Sequence, residues 1–242
     1  MRAAERVARE IELDIIQTGL IAGDSLGSES DLMERYKVSR GSIREAITLV
    51  EHHMQAETRR GYGGGLIVAE PRVDVITEIA SLYLARKRTP VSDLFEIRIL
   101  LEGKSIELAA ASLDEAKIES LRAETSRPDV PADDLGGECE KFHLLIAEMS
   151  GNGVAQMVLP MLSGLVNEVW TAHNRKPTAK QRKLIWDGVQ ERHGRIAEAI
   201  IARDPDLAKR YLSEHLQITS DAMTARQRVI SPLERSFSDP RQ

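Results

Sequence analysis

Between residues 28 and 50 the chain reads Ser-Glu-Ser-Asp-Leu-Met-Glu-Arg-Tyr-Lys-Val-Ser-Arg-Gly-Ser-Ile-Arg-Glu-Ala-Ile-Thr-Leu-Val. This predicts two short helices joined by a tight turn at 36–38. Ser28, with Asp31 three residues on, is a capping-box-like start for the first helix, and the Ser39 hydroxyl can cap the second. In that second helix Ile43, Ala46, Ile47 and Val50 recur at i, i+3, i+4 and i+7, so they share one face. Arg40, Ser42 and Arg44 are left on the other side, near the N-terminal end. A helix with a buried back and a basic, polar first turn is laid out to enter the major groove of DNA. A plain helix pair has the same apolar spacing, so the flanking sequence must decide.

On the N-terminal side of the pair lies an amphipathic helix over 3–18, with Val7, Ile11 and Ile15 at four-residue steps, which Gly19 and Gly23 help to end. On the C-terminal side a polar strand, a glycine-rich turn at 61–65 and the apolar, β-branched run 66–68 make a hairpin. A hairpin directly after such a helix is a wing, and Arg59 and Arg60 at its tip can reach the DNA backbone or minor groove. A phosphate-cradling nucleotide loop has similar glycines, but it needs a helix after the loop, and here a strand comes next.

The net charge of −5, and the 10 basic against 12 acidic residues of 1–72, argue against nucleic acid only until the charge is located. Residues 35–60 hold six basic residues (Arg35, Lys37, Arg40, Arg44, Arg59, Arg60) against three acidic (Glu45, Glu51, Glu57). Phosphate attraction depends on charge at the contacting face. With 242 residues and 42% hydrophobic content, two modest cores are expected. A single cysteine excludes an internal disulfide framework and suits a reducing cytosol. The N-terminal stretch carries Glu5, Glu10 and Glu12 and no long apolar run, so no signal peptide or membrane span is expected and the reading is cytoplasmic.

Residues 5–70 resemble the winged helix-turn-helix domain of the GntR family of bacterial transcription regulators. The resemblance rests on Leu26-Gly-Ser-Glu29, where the family has Leu-Pro-Ser-Glu, on Val38-Ser-Arg-Gly-Ser-Ile-Arg-Glu-Ala-Ile47, and on an Arg-Gly-x-Gly-Gly wing ending at Val68. It implies that Arg40 and Arg44 contact DNA, with Ser39, Ser42, Arg59, Arg60 and Gly61 completing the candidate DNA-binding set. A third family arginine is replaced by Ser30, so one usual contact is missing.

Beyond Val68 no strand-like alternation occurs. Residues 71–90 read as a linker that can hold a helix over 73–86. Helices are expected over about 93–112, 114–126, 134–150, 153–174, 178–202 and 204–225, the last opened by Asp204-Pro205. Residues 226–242 read as a flexible tail. This part is similar to the FCD domain, the effector-binding bundle of FadR-like GntR regulators, through Asp93-Leu-Phe-Glu-Ile-Arg-Ile-Leu-Leu-Glu102, Phe142-His143, His193 and His215. The expected architecture is therefore mostly α. A winged helix-turn-helix with a small β wing (1–70) and a linker (71–90) precede an all-α bundle (91–225).

Within that bundle His143, His193 and His215 each project from the apolar face of a different helix. Singly, each reads as a hydrogen-bonded core histidine; three converging imidazoles are costly to bury without a shared partner, which a divalent ion supplies. The FCD resemblance implies a metal held by three histidines and an aspartate four residues before the first of them. Here Cys139 stands at that position, beside Glu138 and Glu140, and as a thiolate ligand it would favour zinc. Arg98 has two readings, an i, i+4 ion pair with Glu102 or, as the resemblance implies, a clamp on the carboxylate of a small organic or sugar acid. His52, His53 and His173 read as surface or linker residues.

The function expected is a homodimeric repressor on a palindromic operator in double-stranded DNA, controlled by such an acid. A metal-dependent hydrolase is the rival from another class, but no His-Glu-x-x-His helix or nucleophile set is present. A purely structural DNA-binding dimer is the remaining alternative.

Overall fold

A computed structural model of the chain describes residues 2–61, 64–70, 72–127, 135–172, 177–225 and 227–231. The expected turn at 61–65 falls partly outside this set, and the tail beyond 231 and His173 fall wholly outside it. The chain divides into two compact units, Met1–Arg72 and Val73–Gln242.

The first unit is α1 (Ala3–Thr18), β1 (Ser25–Gly27), α2 (Glu29–Tyr36), α3 (Arg40–His52), β2 (Ala56–Arg59) and β3 (Gly65–Val68). Both serine caps form: Ser28 Oγ accepts from the Asp31 amide at 3.3 Å and Ser39 Oγ from the Ser42 amide at 3.4 Å. The Asp31 carboxylate reaches back to the Ser28 amide at 2.8 Å, closing the capping box. Gly19 ends α1 in the left-handed region at φ 67°, where a residue without Cβ is unstrained. Val7, Ile11 and Ile15 of α1 pack with Leu32, Ile43, Ala46 and Val50 and with Leu66 and Val68 of the sheet. Ile47 stays half-buried at the edge of this core.

The sheet is antiparallel in the order β1-β3-β2. β2 and β3 are the expected hairpin. β1 was not expected from sequence: it is three residues long and ends in Gly27, so no alternation marks it, and it forms because β3 offers it an open edge.

The second unit is all-helical in its described residues: α4 (Val73–Lys87), α5 (Val91–Ala111), α6 (Glu115–Thr125), α7 (Leu135–Met149), α8 (Gly153–Ala172), α9 (Ala179–Ile201) and α10 (Pro205–Thr224). Every helix expected from periodicity is present. Asp204 caps α10 by accepting from the Leu207 amide at 2.9 Å. Its core runs through Phe95, Ile106, Leu121, Phe142, Ile146, Leu159, Leu165, Ile196 and Leu212. α10 packs along α5 and α9, and α7 lies against α5 and α8.

Two expectations are corrected. The linker over 71–90 is mostly α4, which belongs to the second unit and packs on α8. Ser81 donates to Glu168 at 2.6 Å, and a Cβ at Gly164 would come within 2.8 Å of the Thr77 side chain, so glycine lets the helices approach. The tail does not start at 226 either. Ile230 is 3% exposed, its amide donates to the Thr89 carbonyl at 3.0 Å, and the Val91 amide donates to the Arg228 carbonyl at 3.0 Å. Apolar burial of Ile230 together with free strand-like backbone before α5 pins this segment down.

Candidate functional site

In the first unit the opening turn of α3 faces solvent. Ser39, Arg40 and Arg44 are exposed and Ser42 is half-buried. Arg40 Nε lies 3.2 Å from Glu29, an exposed pair of little energetic weight that leaves the guanidinium free to turn. Arg44 has no carboxylate partner among the described residues. Arg59, at the end of β2, pairs with Glu57 at 3.3 Å, and Arg60 and Gly61 come after it on the exposed tip. Recognition-helix and wing residues expected to act together are thus all presented to solvent by one unit.

In the second unit α7, α9 and α10 bring His143, His193 and His215 together. The His215 Nε2 lies 3.3 Å from both the His193 Nε2 and the His143 Nε2. All three rings are at most 4% exposed. They pack edge-on or stacked on one another, and Phe142 stacks on His193 at 4.3 Å. Burial, reinforced by the neighbouring histidines, holds the titration of His193 and His215 well below the ordinary imidazole range, so both rings are neutral near pH 7 and offer lone pairs.

Whether this set fits a metal can be tested on distance. Two bonds of about 2.0–2.1 Å at a tetrahedral angle place the nitrogens roughly 3.3 Å apart, the spacing of a zinc-type site. Two of the three separations match it, and the third lies within 4.8 Å. Among the described residues these histidines are the group able to hold an ion, their ligand atoms lying within 4.8 Å of one another. Cys139, expected as a fourth ligand, falls outside that group. It sits one turn before His143 on the wall of the adjoining cavity, where burial first, and the Glu140 carboxylate next, push its thiol up to about 12.

The surrounding polar shell is more extensive than the sequence suggested. Glu102 is 0% exposed and bridges two partners: Oε2 lies 2.6 Å from His143 Nδ1 and Oε1 accepts from Arg98 Nε at 2.7 Å. Burial alone would raise its carboxyl, but Arg98 and His143 outweigh that and bring it down to about 2. Arg98 is 1% exposed and donates through both terminal nitrogens to Glu140, at 3.2 and 2.9 Å. The ion pair read from the i, i+4 spacing exists, but it is buried and has a second carboxylate. Arg192 Nε donates to His215 Nδ1 at 3.1 Å, a contact that must give way when Nε2 ligates a metal, because the ring proton then sits on Nδ1. Neither the Glu140 contact nor Arg192 was found from sequence. The only available signal was adjacency, since Arg192 precedes His193 and Glu140 succeeds Cys139.

Beside the histidines lies a cavity of about 200 Å³. Its wall carries Arg98, Glu140, His143, Arg192, His215 and Asn167 among mostly apolar side chains.

Comparison with known proteins agrees with both units. The gntR family of bacterial regulatory proteins matches residues 3–64, and the FCD domain matches residues 93–218. The HTH-type transcriptional regulator LutR of Bacillus subtilis is 30% identical over 205 residues, spanning 84% of this chain and 92% of that protein. The Glc operon transcriptional activator of Escherichia coli K12 is 29% identical over 222 residues, spanning 88% of this chain and 85% of that protein. A solved GntR protein of Streptococcus agalactiae shares the fold, with a TM-score of 0.64 at 21% identity over 90% of this chain and 99% of that one. A helix pair and wing ahead of an FCD bundle, matched along most of the length of named regulators, leave no place for the hydrolase reading: the chain belongs to the GntR family, as a DNA-binding transcription regulator of the FadR-like type.

Proposed function

We propose that this regulator is a cytoplasmic homodimer whose helical domain binds a small organic or sugar acid beside a divalent metal, and whose N-terminal domains read the half-sites of a palindromic operator. The observation that carries the reading is the triple-histidine cluster opening on a cavity walled by two arginines. A divalent ion there is held by His143, His193 and His215, with zinc favoured by an all-imidazole donor set. Bound, it would supply positive charge and an open coordination position to a ligand oxygen. The protein's own groups do the rest: Glu102 fixes the His143 ring, and the arginines offset the ligand's charge.

On the DNA side, Arg40 and Arg44 with Ser39 and Ser42 face the major groove, while Arg59, Arg60 and Gly61 of the wing track the backbone. The proposed sign is repression. An effector acts only through its differential affinity for two arrangements of the dimer. Loss of half-site register weakens DNA binding with no contact to the transcription machinery.

The test is selection of bound duplexes from a random library by the full-length protein. An inverted repeat with centres about one helical turn apart is expected. Titrating the selected duplex with organic and sugar acids in a gel-shift assay, with and without zinc, should then release the protein. Operator affinity indifferent to every acid would leave only the structural-dimer reading. A reporter repressed rather than induced by the active acid would reverse the sign, as the name of the related Glc operon activator illustrates.

A further inference from the structure

Arg98 is the residue to which the family resemblance gives the ligand's carboxylate, yet all three of its nitrogens, through three of five N–H donors, are engaged from within the chain. Its Nε is taken by Glu102, and its two terminal nitrogens grip Glu140 in the paired geometry by which guanidinium binds a carboxylate. Glu140 therefore occupies the place of a ligand's acid group.

The other guanidinium on the cavity wall is Arg192 of α9, half-buried. Its Nε rests on His215 Nδ1, and no carboxylate among the described residues lies within ion-pair distance of it. Gly188 lies one turn earlier. A Cβ there would come within 3.2 Å of the Arg192 terminal nitrogen, so the bare backbone gives the guanidinium its bed. Asn167 of α8 faces the same cavity, and its Oδ1 is buried without a hydrogen-bond partner. Val166, Trp170, Ile185, Val189, Leu216 and Met223 make most of the remaining wall apolar, with Cys139 and Thr219 beside them. At about 200 Å³ the cavity is smaller than the roughly 300–1,000 Å³ that accommodates drug-sized ligands.

We infer that Arg192, not Arg98, anchors the ligand, and that the ligand is a small monocarboxylate with an apolar body. A polyhydroxylated acid would leave hydroxyl groups unpaired against the apolar wall. A second carboxylate would meet Glu140 rather than another unmatched cation. This inference rests on the proposed effector site and narrows it.

The experiment is calorimetric titration of the full-length protein with butyrate, benzoate and phenylacetate, each beside its uncharged amide, and with gluconate. At least one of the three acids should bind well ahead of its amide and of gluconate. Arg192→Met should weaken that acid by about tenfold or more, the scale of one charge-assisted hydrogen bond, and leave the amide unchanged. Arg192→Lys should restore part of the loss by returning the charge. Glu140→Gln should change acid affinity by no more than about twofold. Acid binding unaltered by Arg192→Met, or tightened about tenfold by Glu140→Gln, would return the anchoring role to Arg98 and overturn the inference while leaving the effector site standing. Gluconate outcompeting the apolar acids would overturn the ligand class. Failure of all four acids to bind the unaltered protein would remove the effector reading itself.

Discussion

Glu102 lies 2.6 Å from Nδ1 of His143, both side chains buried at the junction of α5 and α7. The carboxylate sits behind Nδ1, and the Nε2 on the other side of the ring faces His215. A carboxylate behind a ligating imidazole fixes its tautomer and raises its basicity. The same carboxylate carries Arg98 on its other oxygen, so the metal-competent ring and the buried guanidinium are positioned by one group.

Removing that group has a predictable cost. Glu102→Ala leaves Arg98 with Glu140 alone and His143 without its acceptor, and breaking a buried pair costs on the order of 3–5 kcal/mol. Glu102→Gln keeps the shape and one acceptor, so a smaller loss is expected. Urea denaturation of both variants checks the order; equal stability of Glu102→Ala and the unaltered protein would refute the coupling.

Metal content should track the histidines. Purified protein is expected to hold close to one zinc per chain, and His193→Ala to lose most of it, as read by elemental analysis. Because an ion that binds only the folded state stabilises by mass action, a chelator should lower the melting temperature of the unaltered protein and hardly move that of His193→Ala. Zinc-free protein of undiminished stability would remove the metal from the proposal.

Arg44→Ala should weaken specific operator binding by about 1–3 kcal/mol if the side chain reads a base edge, while thermal stability stays the same because the residue is exposed. Arg60→Ala, a backbone contact on the same view, should weaken binding evenly across sequences and flatten the salt dependence. A gel-shift titration in which Arg44→Ala binds the selected duplex unimpaired would exclude that base contact.

Tyr36 links α2 to α1 by donating to Asp14 at 2.6 Å. Partial burial, and then this hydrogen bond, raise its phenol from 10.0 to about 12. A folded-state value above the unfolded one means that the contribution is complete below about pH 10 and lost as pH rises through 12. Since the side chain is only half-buried, solvent screening reduces the contribution to the order of 1 kcal/mol. Melting temperature should therefore fall between pH 10 and 12 more steeply in the unaltered protein than in Tyr36→Phe.

The helices were legible because their signals are local. Ser39, Asp204 and the recurrence of Ile43, Ala46 and Val50 act within one or two turns, and the four-residue spacing of apolar residues around His143, His193 and His215 fixed the faces from which these rings converge. What escaped were contacts that depend on which faces meet. Glu140 reaches Arg98 across two helices, β1 exists only because β3 is beside it, and Val229 pairs with Pro90. Periodicity states that a side chain is inward, not whom it meets there. Cys139 shows the same limit: the four-residue step puts it one turn before His143, yet its sulfur is not grouped with the three imidazoles.

The pairing of Val229 with Pro90 also orders events during synthesis. Domains fold as units as the chain emerges, and distant pairings wait for their later member. The N-terminal unit has every strand and helix of its core by Val68, whereas the bundle lacks its closing strap until Ile230 has been made. A ribosome-bound chain will therefore display a finished DNA-reading unit ahead of a bundle in which the backbone between α4 and α5 still has a bare edge.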